Sequence, residues 1–385
     1  MRIGLWARGR LDVGWRDLLF AILAPLLPGP RPQRVWPTRA PHLALLSVRT
    51  AWDVLLCTQK WPQGSEIIFS EANIPGMVQI IKEHGFVPVA VPVDPPTLKV
   101  EPNAVQAAIT ERTRAILMSP LFGSRMAMQE IGELARQHNL LLVEDNAQTF
   151  GDVDYQGSPE ADVALFSFGL IKTRTALSGA VVFARDSRLL EAMGRQVRAY
   201  PRVGIGEYYT RLGRAIALQC LSHPLVFAAL WSILQRRGID PDIWLSQATR
   251  GMKGNNLLAS VRRQPHSATL KLLRRRLHDR NTETLQRRVE RGHKSAKALA
   301  TALGREADDS VFWTLPVTVR NRQEFVRRAR KEGFDISFRT SSVACHSEAS
   351  TPLTQAMESV VFLPVGTPMP TTEWERLLRF IDEFR

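Results

Sequence analysis

The chain has 385 residues, 44% hydrophobic and 23% charged, with a formal net charge of +14. That is enough for one large domain with or without a smaller one, and the composition excludes wholesale disorder and a multispanning membrane protein. The positive excess favours anionic partners such as phosphorylated ligands, nucleic acid or an acidic membrane surface. Cys57, Cys220 and Cys345 are far apart, with no CxxC pair and no nearby histidine cluster, so neither a disulfide framework nor a metal site is readable and a reducing cytosol fits.

In chain order, "WRDLLFAILAPLLPGPRP" carries an apolar run over residues 18–27 that starts late, contains Pro25 and lacks a small-residue cleavage site. It reads as a buried or interfacial helix rather than a signal peptide. From Glu66 to Asp186 short apolar runs alternate with helical patterns. "EIIFS", "FVPVAVPVD", "RAILMSPLF", "LLLVEDNAQ" and "DVALFSFG" are strands; "GMVQIIKEHG", closed by Gly85, "VEPNAVQAAITE" and "AMQEIGELARQHN" are helices. "GAVVFAR" adds an antiparallel or edge strand. This is the signature of βαβ units building a mostly parallel sheet, and strands without polar alternation imply helices on both faces.

Ligands of such sheets bind beyond the carboxyl ends of the strands. That rule selects Asp145, which ends "LLLVED", and Ser167 with Lys172, which follow "DVALF". Two readings of these residues stand. In one, Asp145 caps the next helix and Lys172 is a solvated loop lysine. In the other, Lys172 forms a Schiff base with pyridoxal phosphate, Asp145 faces the pyridinium nitrogen, and Ser167 offers its hydroxyl to the phosphate.

Further on, "AIALQCLSHPLVFAALWSIL" (215–234) nearly has the length of a membrane span but holds Gln219, Ser222, His223 and Pro224 in its middle. It reads as a helical hairpin packed on the protein or a partner subunit, or as an interfacial element with Phe227, Leu230 and Trp231 at headgroup level beside Arg236 and Arg237. "KLLRRRLHDRNTETLQRRVERGHKSAKALATAL" has helical spacing with arginines outward, as expected of a long solvated helix joining two domains; no nucleic-acid-binding motif accompanies its charge. "SVFWTLPVTVRNRQEFVRRARKEGFDISFRTSS" reads as strand, helix and strand of a smaller α+β domain.

The order and spacing of several motifs resemble the DegT/StrS-like sugar aminotransferases. "VEDNAQTFG" is similar to that family's E-D-x-A-Q-x-x-G, "FSFGLIK" to its F-S-F-x-x-x-K, and "VPVDPPTLKVEPNAVQAAITERTRAILMSPLFG" to its strand, D-x-x-T-L, helix and T-x-A-I pattern. "VFLPVGTPMPTTEWERLLRFI" resembles its closing segment, with Pro370 in place of threonine. The likeness covers residues 66–186 and recurs near the end; the first sixty residues and 201–260 match poorly.

The resemblance implies a type I pyridoxal-phosphate transferase fold: an α/β large domain with a mostly parallel seven-stranded-type sheet over residues 1–250, carrying a helical insertion at about 199–260, then a linking helix and a small α+β domain over 261–385. It implies that Lys172 joins the cofactor and moves the substrate proton, that Asp145 partners the ring nitrogen, that Gln148 lies near the phenolic oxygen, and that Ser167 and Thr50 bind phosphate. Arg49 replaces the family's glycine before that threonine, and an arginine can itself bind phosphate. Ile74, or Asn73, stands where an aromatic ring is often stacked on the cofactor. Gly179 and Ala180 stand at the family's paired glycines. "SVRRQPHSATLKLL" replaces the segment that reaches the partner subunit's phosphate, with Arg262 or Arg263 as substitutes. His346 falls near a family histidine facing the substrate entrance.

The family also implies a cytoplasmic homodimer, glutamate or glutamine as donor and a keto-sugar as acceptor, in cell-surface polysaccharide or secondary-metabolite biosynthesis. Members that dehydrate sugars carry histidine at the position of Lys172. The rival expectations are a degenerate relative acting as a binding or assembly protein, and an enzyme in peripheral membrane contact with a lipid acceptor.

Overall fold

The computed structural model describes residues 4–9, 11–249, 256–299, 301–304, 309–339, 343–347 and 350–384. Residues 250–255, inside the expected insertion, and 340–342, at the end of the expected last strand, lie outside them.

The helices are α1 (Trp15–Leu23), α2 (Val48–Thr58), α3 (Pro75–Glu83), α4 (Pro102–Ala108), α5 (Gln129–Gln137), α6 (Ser187–Arg198), α7 (Ile205–Leu221), α8 (Pro224–Arg236), α9 (Pro241–Thr249), α10 (Leu257–Val261), α11 (Ser267–His278), α12 (Glu283–Ala298), α13 (Arg322–Lys331), α14 (Pro352–Met357) and α15 (Thr371–Glu383). The strands are β1 (His42–Leu45), β2 (Glu66–Ser70), β3 (Ala72–Asn73), β4 (Val87–Val91), β5 (Thr113–Met118), β6 (Leu141–Asp145), β7 (Val163–Ser167), β8 (Ala180–Ala184), β9 (Leu315–Thr318), β10 (Ala344–Cys345) and β11 (Val360–Leu363).

The seven-stranded sheet has the order β1-β8-β7-β6-β5-β2-β4. β4, β2, β5, β6 and β7 are parallel to one another, and β8 is antiparallel to both β7 and β1. The alternation of side chains along each strand feeds two faces. Ile67, Phe69, Leu165 and Val182 pack with α2, α3 and α6 on one face. Opposite them, Ile68, Ile116 and Leu142 pack with α4 and α5, while Phe166 and Phe183 pack with α1, α7 and α11. "GAVVFAR" is thus an interior antiparallel strand, and β1 takes the edge.

The smaller core joins β9 and β11, which are antiparallel, to α13 and α15, with Trp6 packed against it. The strand expected at "FDISFR" is reduced to single bridges from Phe334 to Trp6 and from Ser337 to Phe362. The long solvated helix is also two helices. α11 ends at Asp279, whose carboxylate accepts Asn281 N–H and pairs with Arg174 at 3.0 Å, and such local bonding favours a break over a continued helix. α11 is not solvated: Leu270, Leu272, Leu273 and Leu277 are buried.

The apolar stretch 215–234 is broken at Ser222–Pro224, where proline cannot continue α7, and α7 and α8 meet at 99°. Among the described residues no single helix is long and apolar enough to cross a membrane, though this bent pair passes by length and composition. Phe227 and Trp231 are not at any surface. Both are buried with Leu245, and Arg330 stacks over Trp231 at 4.3 Å. The hairpin reading therefore describes these rings and the headgroup reading does not.

Candidate active site

Because β1, β6 and β7 run the same way, their carboxyl ends meet at one edge of the sheet. Asp145 closes β6, Ser167 closes β7, and α2 starts just past β1. Ser47 caps α2 by accepting Thr50 N–H at 3.1 Å. The loop after β7 is pinned by Lys172 N–H to the Gly169 carbonyl (2.9 Å) and Arg174 N–H to Asp12 (2.8 Å). It turns Lys172 into the interior, where the residue is 9% exposed.

The polar groups gathered here are short of protein partners. The Asp145 carboxylate accepts Ala147 N–H at 3.1 Å, and nothing else among the described residues bonds to it. Lys172 Nζ, the Ser167 hydroxyl and the Arg49 guanidinium make no hydrogen bond or ion pair among those residues; Lys172 Nζ instead faces the Trp313 ring at 4.3 Å. Burial pushes Asp145 up to about 6, against the pull of Lys172. Burial pushes Lys172 down to about 8, opposed by Asp145 and assisted by Arg49. Unbonded buried groups are costly, so a site that keeps several of them suits a polar ligand. An acid for a ring nitrogen, an amine able to lose its proton, and a hydroxyl and guanidinium for an anion match the donor set pyridoxal phosphate requires.

Gln148 is buried and its Oε1 accepts Phe122 N–H at 2.8 Å, leaving Nε2 without a partner among the described residues. Thr50 is fully buried within the first turn of α2 rather than at its cap, and its hydroxyl donates to the Val261 carbonyl at 2.8 Å. Arg49 lies over Gly76, where an added Cβ would come within 2.9 Å of its Cδ. Ile74 caps α3 and packs into the α2–α3 core. Asn73 is buried and donates to Ser119 Oγ at 2.9 Å. His346 touches the same segment, with Nε2 3.3 Å from the Asn73 carbonyl and its ring against Phe69.

Arg262 and Arg263 are committed elsewhere. Arg262 donates to Asp53 at 3.1–3.2 Å and Arg263 pairs with Glu207. Asp53 also accepts from His84 Nε2 (2.9 Å) and Tyr200 OH (3.1 Å), which holds its pKa low and raises His84 to about 9. Asp53, Cys57 and His84 have metal-ligand spacing, but Arg262 already supplies the positive charge to this carboxylate.

Sequence reasoning missed Ser47, Trp313 and Arg288. Trp313 comes from the C-terminal part of the chain and donates to the Ile171 carbonyl at 3.2 Å. Its segment fits against the Phe122 loop because Gly123, at φ +96°, has no Cβ; one would lie 2.4 Å from Trp313 N. Arg288 reaches Thr173 Oγ1 (2.8 Å) and the Val311 carbonyl (3.1 Å), while its buried Nη2 has no partner among the described residues. The tryptophan and arginine themselves are visible in the sequence, but nothing local indicates that Trp313 meets Lys172 or that Arg288 meets Thr173.

A cavity of about 1070 Å³ adjoins this edge between residues 8–9 and 11–17, α11, α12 and the C-terminal part. Of the sheet-edge groups named above, Lys172 alone also lines it. Eight lysine and arginine side chains line it against four aspartates, Arg288 among them.

Residues 39–218 match the model of the DegT/DnrJ/EryC1/StrS aminotransferase family. The resemblance read from the motifs is borne out. A GDP-perosamine synthase of Caulobacter vibrioides is 31% identical over 193 residues, which are 47% of this chain and 49% of that protein. A dTDP-4-dehydro-2,6-dideoxy-D-glucose 3-dehydratase of Saccharopolyspora spinosa is 34% identical over 149 residues, 36% of this chain and 32% of its own. The matched segments thus span about half or less of these relatives. Among solved structures, the aminotransferase TlmJ of Streptoalloteichus hindustanus superposes with a TM-score of 0.65 at 18% identity, covering 97% of this chain and 92% of that one. Helicobacter pylori PseC, an aminotransferase of pseudoaminic acid biosynthesis, does so at 0.64 and 16%, covering 97% and 92%. These likenesses establish the α/β aminotransferase fold.

Proposed function

We propose that the chain is a pyridoxal-phosphate-dependent aminotransferase that moves an amino group from glutamate or glutamine to a keto-sugar carried on an anionic group, such as a nucleotide diphosphate. The observation that carries this reading is the pairing of an unbonded, pKa-lowered Lys172 amine with the largely unbonded Asp145 carboxylate at one sheet edge. When bound, the cofactor supplies an electron sink that stabilises negative charge at the carbon losing a proton.

The chain's own residues do the rest. Asp145 would keep a negative charge against the ring nitrogen, and Arg49, Ser167 and the first turn of α2 would hold the phosphate. Gln148, whose Nε2 is left without a partner among the described residues, would donate to the ring's phenolic oxygen. Lys172 Nζ, its pKa lowered to about 8 by burial and, further, by Arg49, takes and returns the substrate proton. Trp313 covers that amine and limits water at it. The cavity beyond Lys172, rich in arginine, suits the acceptor's anionic group. Lysine at 172 supports aminotransfer over dehydration, because sugar dehydratases of the resembling family carry histidine there.

We further propose a cytoplasmic homodimer and a place in polysaccharide or secondary-metabolite biosynthesis. Both extend from the family.

The test is the absorbance of the purified protein with pyridoxal phosphate, before and after glutamate. A visible band that bleaches with glutamate, and returns with a nucleotide-linked keto-sugar as an aminated product forms, supports the reading. A band indifferent to amino donors, or no band with excess cofactor, contradicts it.

A further inference from the structure

We infer that the outer face of α1 and the turn after it is a docking surface for an anionic lipid bilayer. The inference is independent of the aminotransferase reading. α1 is apolar on two sides. Leu18 and Ala21 face the core and are buried, while Trp15 (51% exposed), Leu19 (62%), Ile22 (41%) and Leu23 (58%) recur at helical spacing on the outside. The stripe continues over the 3-10 turn Ala24–Leu26 into Leu26, 82% exposed, and Leu27. Six of the exposed large apolar side chains thus fall within thirteen consecutive residues, and Tyr209 of α7 extends the patch by donating to the Ile22 carbonyl at 3.1 Å. A clustered patch of this kind marks an interaction surface, unlike scattered exposed leucines.

The tip is built rather than frayed. Tyr208 OH donates to the Ala21 carbonyl at 2.7 Å, Lys271 Nζ donates to the carbonyls of Ala24 and Leu27, and Arg275 stacks on Phe20 at 4.9 Å. These bonds hold the inner side of the turn and leave its leucines outward.

Charge identifies the occupant. Between Gly14 and Ala40 the sequence has one acid, Asp17, and it is bonded to Arg275 and Arg276. Arg16, Arg31, Arg34 and Arg39 are exposed, with no acidic partner among the described residues. An apolar stripe with tryptophan at one end and arginines at both ends is how an interfacial helix meets anionic headgroups. A second copy of the chain fits less well, because a twofold interface centred on α1 would bring these arginines towards their own equivalents. Trp15 and Arg16 also line the cavity that reaches Lys172, so docking sets the cavity wall at headgroup level.

The test is co-sedimentation of the full chain with vesicles of phosphatidylcholine alone or mixed in equal parts with phosphatidylglycerol, with light scattering of the same samples without vesicles. The expected result is binding to the anionic vesicles that falls at least about tenfold in L19S/L23S/L26S and in R31E/R34E, while L225S/V226S on α8 binds as the wild type and all keep the same solution mass. R31E/R34E alters no buried side chain, so its loss cannot be laid to misfolding. Absence of wild-type binding, equal binding by both α1-region variants, loss confined to the α8 variant, or a fall in solution mass for L19S/L23S/L26S would overturn the proposal.

Discussion

Two buried aspartates in this protein sit beside basic groups and are treated in opposite ways. Asp53 accepts from His84, Tyr200 and Arg262, and these partners outweigh burial and hold its carboxyl below the usual range. Asp145 has one N–H bond, and burial wins, pushing it up. The first arrangement ties α2, α3, α6 and α10 together. The second leaves binding capacity for something the chain does not supply. What separates a structural cluster from a site here is therefore not charge or depth, since both have these, but how completely the carboxylate is bonded.

That contrast breaks in predictable ways. The largest effect is expected at Lys172: Lys172→Ala removes the cofactor's lysine-dependent visible band and lowers aminotransfer by at least about 10³-fold, read by spectrum and single-turnover assay. Asp145→Asn keeps the shape and loses the charge, and kcat is expected to fall about 10²–10³-fold with the melting temperature little changed. The opposite pattern is expected of Asp53→Asn. Breaking a buried pair costs roughly 3–5 kcal/mol, and the partial exposure of Arg262 discounts this to about 2–3 kcal/mol, seen in urea unfolding, with turnover of the folded fraction intact.

These expectations also show how much was legible in the sequence. The placement of Asp145, Ser167 and Lys172 at the carboxyl ends of the strands could be read because the strand pattern that sets it is local. The βαβ series from Glu66 to Ser167 could be read for the same reason, since apolar runs and turn residues mark it directly. Trp313 over Lys172, Arg288 on Thr173 and Arg262 on Asp53 could not, because each pairs residues more than a hundred positions apart and depends on how the C-terminal part folds back. The α11–α12 run misled for a related reason: its arginines look solvated, but Arg276 is buried against Asp12 and Asp17, acids from the other end of the chain. The expected aromatic neighbour of the site is absent at Ile74, and Trp313 brings a ring to Lys172 from a different part of the fold.

Smaller effects sharpen the comparison. Arg49→Ala is expected to weaken cofactor affinity about tenfold, the scale of one charge-assisted hydrogen bond, measured by equilibrium titration. It also removes a positive neighbour of Lys172. The amine's pKa then rises, and the pH at which the cofactor-free protein captures pyridoxal phosphate moves upward; an unchanged pH profile would place Arg49 outside the site.

The least effect is expected at His84. Its folded pKa of about 9 lies above the ordinary 6.5, so the stabilisation is fully present below 6.5 and is lost as pH rises through 9. Melting temperature is therefore expected to decline by a few degrees over that window in the wild type and to stay flatter in His84→Gln.

The most direct test of the central claim is to locate the cofactor's attachment. The protein is incubated with pyridoxal phosphate, reduced with borohydride, digested and mapped by mass spectrometry. The account predicts a single modified peptide carrying the group on Lys172, suppressed in competition with phosphate by an amount that Arg49→Ala diminishes. Modification spread over surface lysines, with Lys172 unlabelled, would contradict it.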